Sequence, residues 1–216
     1  MDKKLEKWIR WLEVIKGEIQ DLVVAKYTFT EVQSIVRNNN KIQKNSSFYD
    51  YFTRTYVSHT MSGLRRQLKS DKQSISLVRL FEEMISSPET FSRSFYREKY
   101  EDSVVQEFAD KDFNNFAKPD QSHIDATLIE SDLSELRNIT KRCEDFTDKR
   151  LAHRDKREPK EIPTFKDLDS CIELLDKLYV KYHLLFHATS IDTLLPTWQY
   201  DWKSIFRQSW IDDRDD

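Results

Sequence analysis

The residues of this sequence best suited to chemistry lie in the stretch FTDKRLAHRD, residues 146–155. The stretch places Arg150 three residues before His153, so on an α-helix the two side chains share one face, one turn apart. An imidazole acts as a general acid or base near neutral pH, and a planar guanidinium holds phosphate oxygens. The pair therefore predicts chemistry at a phosphate group. The alternative is a structural histidine at a helix end, with Arg150 paired to an acid on a neighbouring helix.

Cations are concentrated around this histidine. Residues 141–160 hold eight lysines and arginines and five acidic residues, a local net charge of +3, whereas the whole chain carries −3. The negative total argues against general polyanion binding, so any nucleic-acid contact is expected to be local. We predict that five cations contact nucleic-acid phosphates: Arg142, Lys149, Arg154, Lys156 and Arg157. The alternative is that this charged run is simply a solvated helix face.

Other kinds of active site have little support. With only two glycines, Gly17 and Gly63, the chain contains neither the glycine pattern of a dinucleotide-binding fold nor that of a P-loop. His183 and His187 have the i, i+4 spacing of zinc ligands, but no glutamate completes the usual zinc motif. We expect these two histidines to be half-buried structural residues, and we predict no metal and no other cofactor.

One stretch, RTYVSH, gives a literal arginine and histidine separated by four residues, Arg54 and His59. About one such match is expected by chance in a chain of this composition. A separation of five positions also turns the two side chains about 140° apart on a helix. We therefore assign no chemistry to this pair.

The remaining composition indicates a protein of the cytoplasm. Cys143 and Cys171 fall on apolar helical stripes and are expected to be small core residues, which suits a reducing compartment. Residues 1–14 lack the apolar run and cleavage site of a signal peptide. No stretch approaches 18 uncharged apolar residues, so we predict no membrane segment.

The elements that position these residues are predicted to be helices. Few glycines, few prolines and 34% charged residues are typical of long helices joined by polar loops. Apolar spacing predicts helices over residues 3–25, 28–37, 47–68, 74–86, 123–153 and 165–187, with shorter helical pieces over 89–122. The fold class is therefore all-α, a bundle of five or more helices. We expect a helical domain over residues 1–190 and a tryptophan-rich helical tail over 191–216 that packs on the domain or on a partner.

Two of these helices bear on the site. The helix over 123–153 has a predicted buried stripe of Ile129, Leu133, Leu136, Ile139, Cys143 and Phe146. On a helical wheel Arg150 and His153 continue this stripe and lie at the edge of the core. The helix over 165–187 has a short heptad pattern, and together with the tail it predicts exposed apolar surface and hence a homodimer.

The motif DKRLAH followed by RD, after a long helix and before a loop with prolines, resembles the HEPN superfamily. The stretch KSDKQSISLVRLFEEM, residues 69–84, resembles the branch related to the abortive-infection U phage-resistance proteins. The resemblance spans roughly residues 5–190. It implies an all-α bundle, frequent dimerisation, and in many members metal-independent RNA cleavage by an arginine and a histidine contributed across the dimer interface.

The resemblance also implies an arginine five to seven residues before the histidine, where this chain has Phe146, Thr147 and Asp148. The branch is expected to carry it at position 147, so a Thr147→Arg substitution is expected to raise activity. We predict a defence or toxin-type endoribonuclease with a degenerate motif, in which His153 is the acid and base. Arg150, with Arg142, would steady the scissile phosphate. The alternative is a non-catalytic helical module that binds a protein partner.

Overall fold

The computed structural model describes residues 2–100, 106–152, 156 and 161–209, and they form an all-α bundle, as the sequence predicted. The α-helices are α1 (Lys3–Arg37), α2 (Ser47–Gln67), α3 (Leu77–Ser86), α4 (Arg93–Arg97), α5 (Gln106–Phe113), α6 (Ala126–Phe146) and α7 (Phe165–His187). A π-helical turn, Thr147–Ala152, follows α6, and 3-10 helices span Pro88–Thr90 and Trp202–Arg207. Within the described ranges, extended pairing is limited to one antiparallel bridge between Ser92 and His123.

Short polar side chains set the starts of the helices. Ser46, Ser76 and Asp125 each accept a hydrogen bond from a backbone N–H of the helix that follows. Because Asp125 is the cap, α6 begins at Ala126 and not at His123 as predicted. Such caps satisfy N–H groups that have no partner inside the helix, typically with a gain of about 1 kcal/mol each.

The first 37 residues form one helix, so the predicted division into helices over 3–25 and 28–37 is wrong. The second predicted helix has two β-branched residues in its first turn, Thr28 and Thr30, whose helix propensity is only a few tenths of a kcal/mol below average. Packing outweighs that difference, because Phe29, which lies between the two threonines, and Val32 are buried. The ring of Phe29 stacks on Tyr56 of α2 with centroids 4.0 Å apart.

Helix α7 lies at the centre of the bundle. Its predicted bounds are confirmed, and ten of its side chains are buried, including Leu168, Leu175, Tyr179 and Tyr182. It packs against α1, α6 and α2 of the same chain. The heptad pattern of α7 therefore reflects burial inside one bundle, and the prediction that α7 offers exposed apolar surface to a second copy is wrong.

The segment 89–122 was predicted as short helical pieces. Within its described residues, Arg93 of α4 connects this helix to α5 and to the loop that follows α5. Its guanidinium donates to the carbonyl oxygens of Lys118 at 2.8 Å and Gln121 at 3.0 Å. It also pairs with Asp110 of α5 at 3.3 Å and lies over the ring of Phe113, 4.6 Å from the centroid. The side chain is almost fully buried, which is stable only because its donors are paired.

The tail packs on the C-terminal part of α1. Trp198 stacks on Tyr27 with ring centroids 4.8 Å apart, and Trp202 meets the same ring edge-on at 6.1 Å. Lys203 forms an ion pair with Glu31. These contacts hold the tail on the domain. Its helix is a 3-10 helix, Trp202–Arg207, and not the predicted amphipathic α-helix. Trp210 lies outside the described residues. None of the described helices has the length and apolar character needed to span a membrane.

The end of α7 predicts a pH dependence of stability. Burial lowers the pKa of His187, and the neighbouring His183 and the lysines Lys16 and Lys99 lower it further, against the opposing effect of Glu13. The unfolded chain therefore binds a proton more readily than the folded chain does. Stability should be constant above the ordinary histidine pKa of about 6.5 and should fall as the pH drops below it.

We expect the melting temperature to decrease from pH 7.5 to pH 5.5, and a His187→Gln variant to lose part of that decrease. Asp110 and Asp125 have pKa values lowered chiefly by side-chain hydrogen bonds from Arg97 and Thr127. Their contribution is lost only at more acidic pH, near and below their ordinary pKa of about 4. An identical pH profile in wild type and His187→Gln would show that another group is responsible.

Candidate functional site

The predicted site lies where α6 gives way to the π-helical turn Thr147–Ala152. Such wide turns are uncommon and are often found at functional sites, because they change the direction of the side chains that follow. Arg150 lies in the turn and is half-buried, and His153 is the next residue after its end. His153, Arg154 and Arg157 lie outside the described residues. The structure thus describes α6 and the turn that precedes the predicted histidine, as far as Ala152.

Thr147 fixes the start of this turn. Its hydroxyl donates to the carbonyl oxygen of Cys143 at 2.7 Å and lies 3.5 Å from the Sδ atom of Met61 in α2. The residue is only 2% exposed. This position, where the family arginine is expected, therefore faces the core between α6 and α2 and not a substrate.

The predicted buried stripe of α6 is confirmed at Ile129, Leu133, Leu136 and Cys143 and is wrong at two positions. Thr140 and Thr147 are buried, whereas the predicted Ile139 is exposed and Phe146 is half-buried. The two threonines are tolerated inside because each hydroxyl donates to the carbonyl oxygen four residues earlier. The pattern of apolar residues therefore favoured Ile139 and Phe146 over the threonines that are buried. Arg150 lies at the margin of the buried face.

A surface cleft of about 560 Å³ lies along the outer side of this region. Its lining comes from the last turns of α6, the π-helical turn and the residues before α7: Asn138, Lys141, Arg142, Glu144, Asp145, Asp148 and Glu161. Four carboxylates and two cations thus face the cleft. The cleft is polar enough for a hydrophilic ligand, but its own charges do not favour a phosphate at its centre.

Carboxylates already engage two of the five predicted RNA-binding cations. Arg142 pairs with Asp167 at 3.1 Å and with Glu161 at 2.5 Å. Lys149 pairs with Asp145 at 2.8 Å, one turn earlier on the same face. The exposed pairs of Arg142 are weak, about 0–1 kcal/mol each, so a phosphate can replace these carboxylates at small cost.

Two carboxyl groups of this region have shifted pKa values. The hydrogen bonds from Thr164 and the guanidinium of Arg142 lower the pKa of Asp167. Burial, and then the nearby charge of Asp148, raise the pKa of Glu144. Glu144 therefore takes up a proton at a higher pH than an ordinary glutamate does, which reduces the repulsion that this carboxyl exerts on an approaching phosphate.

Sequence reasoning missed Arg65 of α2. Its Nε donates to Asp148 Oδ1 at 2.6 Å, and its side chain is 30% exposed. Asp148 precedes His153 by five residues, so Arg65 presents a guanidinium next to a backbone position where the family arginine is expected. No pattern along the chain signals this contact, because 83 residues separate Arg65 from Asp148.

The remaining predicted residues are placed as follows. Lys156 is described and exposed, and Arg150 makes contacts with its surroundings at the core margin. His59 is exposed on α2, consistent with leaving it unassigned. The rings of His183 and His187 are 4.6 Å apart. Among the described residues, no three histidine, cysteine or acidic side chains are grouped closely enough to hold a metal ion.

The chain matches the AbiU2 family of HEPN domains over residues 5–203. This chain belongs to that family. The match includes α1 to α7, the π-helical turn and the first residues of the 3-10 helix of the tail. It extends beyond the resemblance found from the sequence, which ended near residue 190, and membership makes this HEPN domain a protein of defence or toxin type. No curated protein and no solved structure matches the chain.

Proposed function

We propose that this HEPN domain is a metal-independent endoribonuclease in which His153 is the acid and base. Membership of the HEPN family supports the proposal. The observation that carries it is the placement of Arg65 beside Asp148, at the turn that leads directly to His153. This contact supplies from another helix the cation that the local motif lacks. Arg150 and Arg65 then bind the phosphate, and Lys156 and Arg157 bind its neighbours along the strand.

In this mechanism His153 removes the proton from a ribose 2′-hydroxyl. The 2′-oxygen forms a bond to the adjacent phosphorus while the bond to the 5′-oxygen breaks, and the leaving oxygen takes a proton from His153 of a second copy. The products are a 2′,3′-cyclic phosphate and a 5′-hydroxyl end. The guanidinium groups stabilise the charge that develops on the phosphate oxygens.

The test is cleavage of a single-stranded RNA by the purified chain in the presence of excess EDTA. Products that end in a 2′,3′-cyclic phosphate support the proposal, because the mechanism uses the substrate's own 2′-hydroxyl. A matched RNA with a single 2′-deoxynucleotide at the main cleavage point should remain intact there. The proposal is wrong if cleavage requires a divalent metal, or if the deoxynucleotide does not block it.

Two adjacent arginines of α2 allow a controlled test of the predicted phosphate contact. Arg65 pairs with Asp148 at the π-helical turn, and Arg66 pairs with Glu18 of α1, also at 2.6 Å. We expect Arg65→Ala to reduce cleavage about ten- to a hundredfold, as for loss of one charge-assisted contact. Arg66→Ala removes an equivalent surface ion pair and should leave cleavage unchanged. Equal effects of the two substitutions would contradict the role of Arg65.

HEPN domains commonly dimerise, and we propose that this chain forms a homodimer whose two His153 residues share one site. Light scattering at micromolar concentration should report about 52 kDa, twice the chain mass of 26.0 kDa. The apolar surface that the sequence assigned to α7 is buried, so the interface must use other residues. A 26 kDa species that cleaves RNA would exclude the shared site.

The second candidate function is a non-catalytic module that binds a protein partner. The observation that favours it is the ion pairing of Arg142 and Lys149, together with the burial of Thr147. On this account the charges at the end of α6 stabilise the bundle, and the exposed acidic and basic residues of the cleft contact a protein. The same EDTA assay separates the two functions, because the binding module leaves the RNA intact.

A further inference from the structure

The two cysteines of the chain meet in its core. Cys143 of α6 and Cys171 of α7 are 28 residues apart in sequence, and their Sγ atoms lie 3.7 Å apart. Both are free thiols with 0% exposure. The chain has only two cysteines in 216 residues. Core packing accounts for small side chains at this contact between α6 and α7, but it does not require that both of them are thiols.

The surrounding contacts hold the two thiols in register. Cys171 lies against α6 between Cys143 and the carbonyl oxygen of Ile139, which its Sγ approaches to 3.7 Å. One turn away, the ion pair between Arg142 and Asp167 joins the same two helices. Closing from 3.7 Å to the bonded distance of about 2.0 Å requires only a small movement of the side chains.

We propose that Cys143 and Cys171 are a redox-active dithiol that a peroxide converts into a disulfide joining α6 to α7. This inference does not depend on ribonuclease activity. It goes beyond the packing role that the sequence predicted for the two residues.

The reaction balances with hydrogen peroxide as the oxidant. The Cys143 thiol loses its proton, and the thiolate attacks one peroxide oxygen. The O–O bond breaks to give a sulfenic acid and a hydroxide, which takes up that proton as one water. The Cys171 sulfur then attacks the Cys143 sulfur, and its proton leaves with the hydroxide as a second water. The hydrogen bond from Cys171 lowers the pKa of Cys143, which makes Cys143 the first nucleophile.

The disulfide would act directly on the candidate site. The carbonyl oxygen of Cys143 accepts hydrogen bonds from both the hydroxyl and the backbone N–H of Thr147, the first residue of the π-helical turn. Fixing Cys143 to α7 therefore fixes the base of the turn that carries Arg150. Oxidation is expected to make the end of α6 less able to open.

The experiment uses the reduced, desalted full chain, treated with a small excess of hydrogen peroxide and quenched with a maleimide under denaturing conditions. The intact mass should fall by about 2 Da, with two maleimide adducts before oxidation and none after it. Trypsin should then release one linked species joining residues 143–149 to residues 167–177. The melting temperature should rise by about 5 °C or more, since the disulfide closes a loop of 28 residues.

A Cys171→Ala variant is the matched control and should show neither the mass loss nor the rise in melting temperature. Three results would overturn the proposal. These are two unreacted thiols after peroxide treatment, stepwise oxygen addition without the loss of 2 Da, or a covalent dimer that forms between chains. The thiol count is read after denaturation, so it remains informative even if the variant is destabilised.

Discussion

Replacing His153 with alanine is expected to reduce RNA cleavage by about three orders of magnitude while the melting temperature stays nearly constant. General acid and base catalysis typically contributes a factor of about 10²–10⁴, and the proposed mechanism uses His153 in both proton transfers. A side chain that acts on substrate contributes little to core packing. The measurements are initial cleavage rates and thermal unfolding of the same preparations.

His59 gives the matched control for this substitution. It is exposed on α2 and belongs to the chance arginine–histidine spacing with Arg54. A His59→Ala variant should cleave RNA at the wild-type rate and unfold at the wild-type temperature. If His153→Ala lowers the melting temperature clearly and wild type shows no cleavage to lose, His153 is a structural residue and the binding module becomes the better account.

Replacing Thr147 with arginine is expected to destabilise the fold rather than to restore a nuclease motif. The sequence predicted that an arginine here could reach a phosphate from the flank of the helix. The structure instead buries Thr147 against Met61, where a guanidinium would be desolvated and overpacked. Such a change costs about 3 kcal/mol or more, or about 6–12 °C in melting temperature for a chain of this size.

Two comparisons isolate the cause. Thr147→Val keeps the volume and removes one hydroxyl, and it should cost about 1 kcal/mol or less. Asp148→Arg adds the same guanidinium one residue later, at a side chain that is 51% exposed. It replaces the surface pair with Arg65 by two cations that can turn apart into solvent, where such interactions are weak. Its melting temperature should change little. A Thr147→Arg protein that keeps the wild-type melting temperature and cleaves RNA faster would show that position 147 faces the substrate after all.

Local physical chemistry determined much of the fold. The scarcity of glycine and the helical spacing of apolar residues predicted an all-α bundle, and α7 has the bounds that its heptad pattern predicted. A serine, Ser46 or Ser47, is the residue type that caps a helix at this point, and Ser46 caps α2, because a side-chain oxygen next to a helix start binds an otherwise unpaired N–H. The resemblance that rested on residues 69–84 and on the motif at His153 led to the family that the chain matches.

Positions that depend on competing contacts were not readable from the pattern. The predicted division of α1 before Thr28 is absent, because the burial of Phe29 against Tyr56 outweighs the weak helix propensities of Thr28 and Thr30. The apolar pattern of α7 could not show whether its partner was a second copy or the rest of the same chain. Both arrangements bury the same stripe, and only the packing against α1, α6 and α2 distinguishes them.

For the candidate site, the sequence by itself determined the residue types and their order along the chain: a histidine, an arginine three residues earlier and a dense run of charges. Only the tertiary structure decided which charges are paired, that Thr147 faces the core, and that Arg65 reaches Asp148 from another helix. The physical reason is that a salt bridge or a buried hydroxyl depends on distances between atoms. Residues 83 positions apart become neighbours only when hydrophobic burial has brought α2 and α6 together.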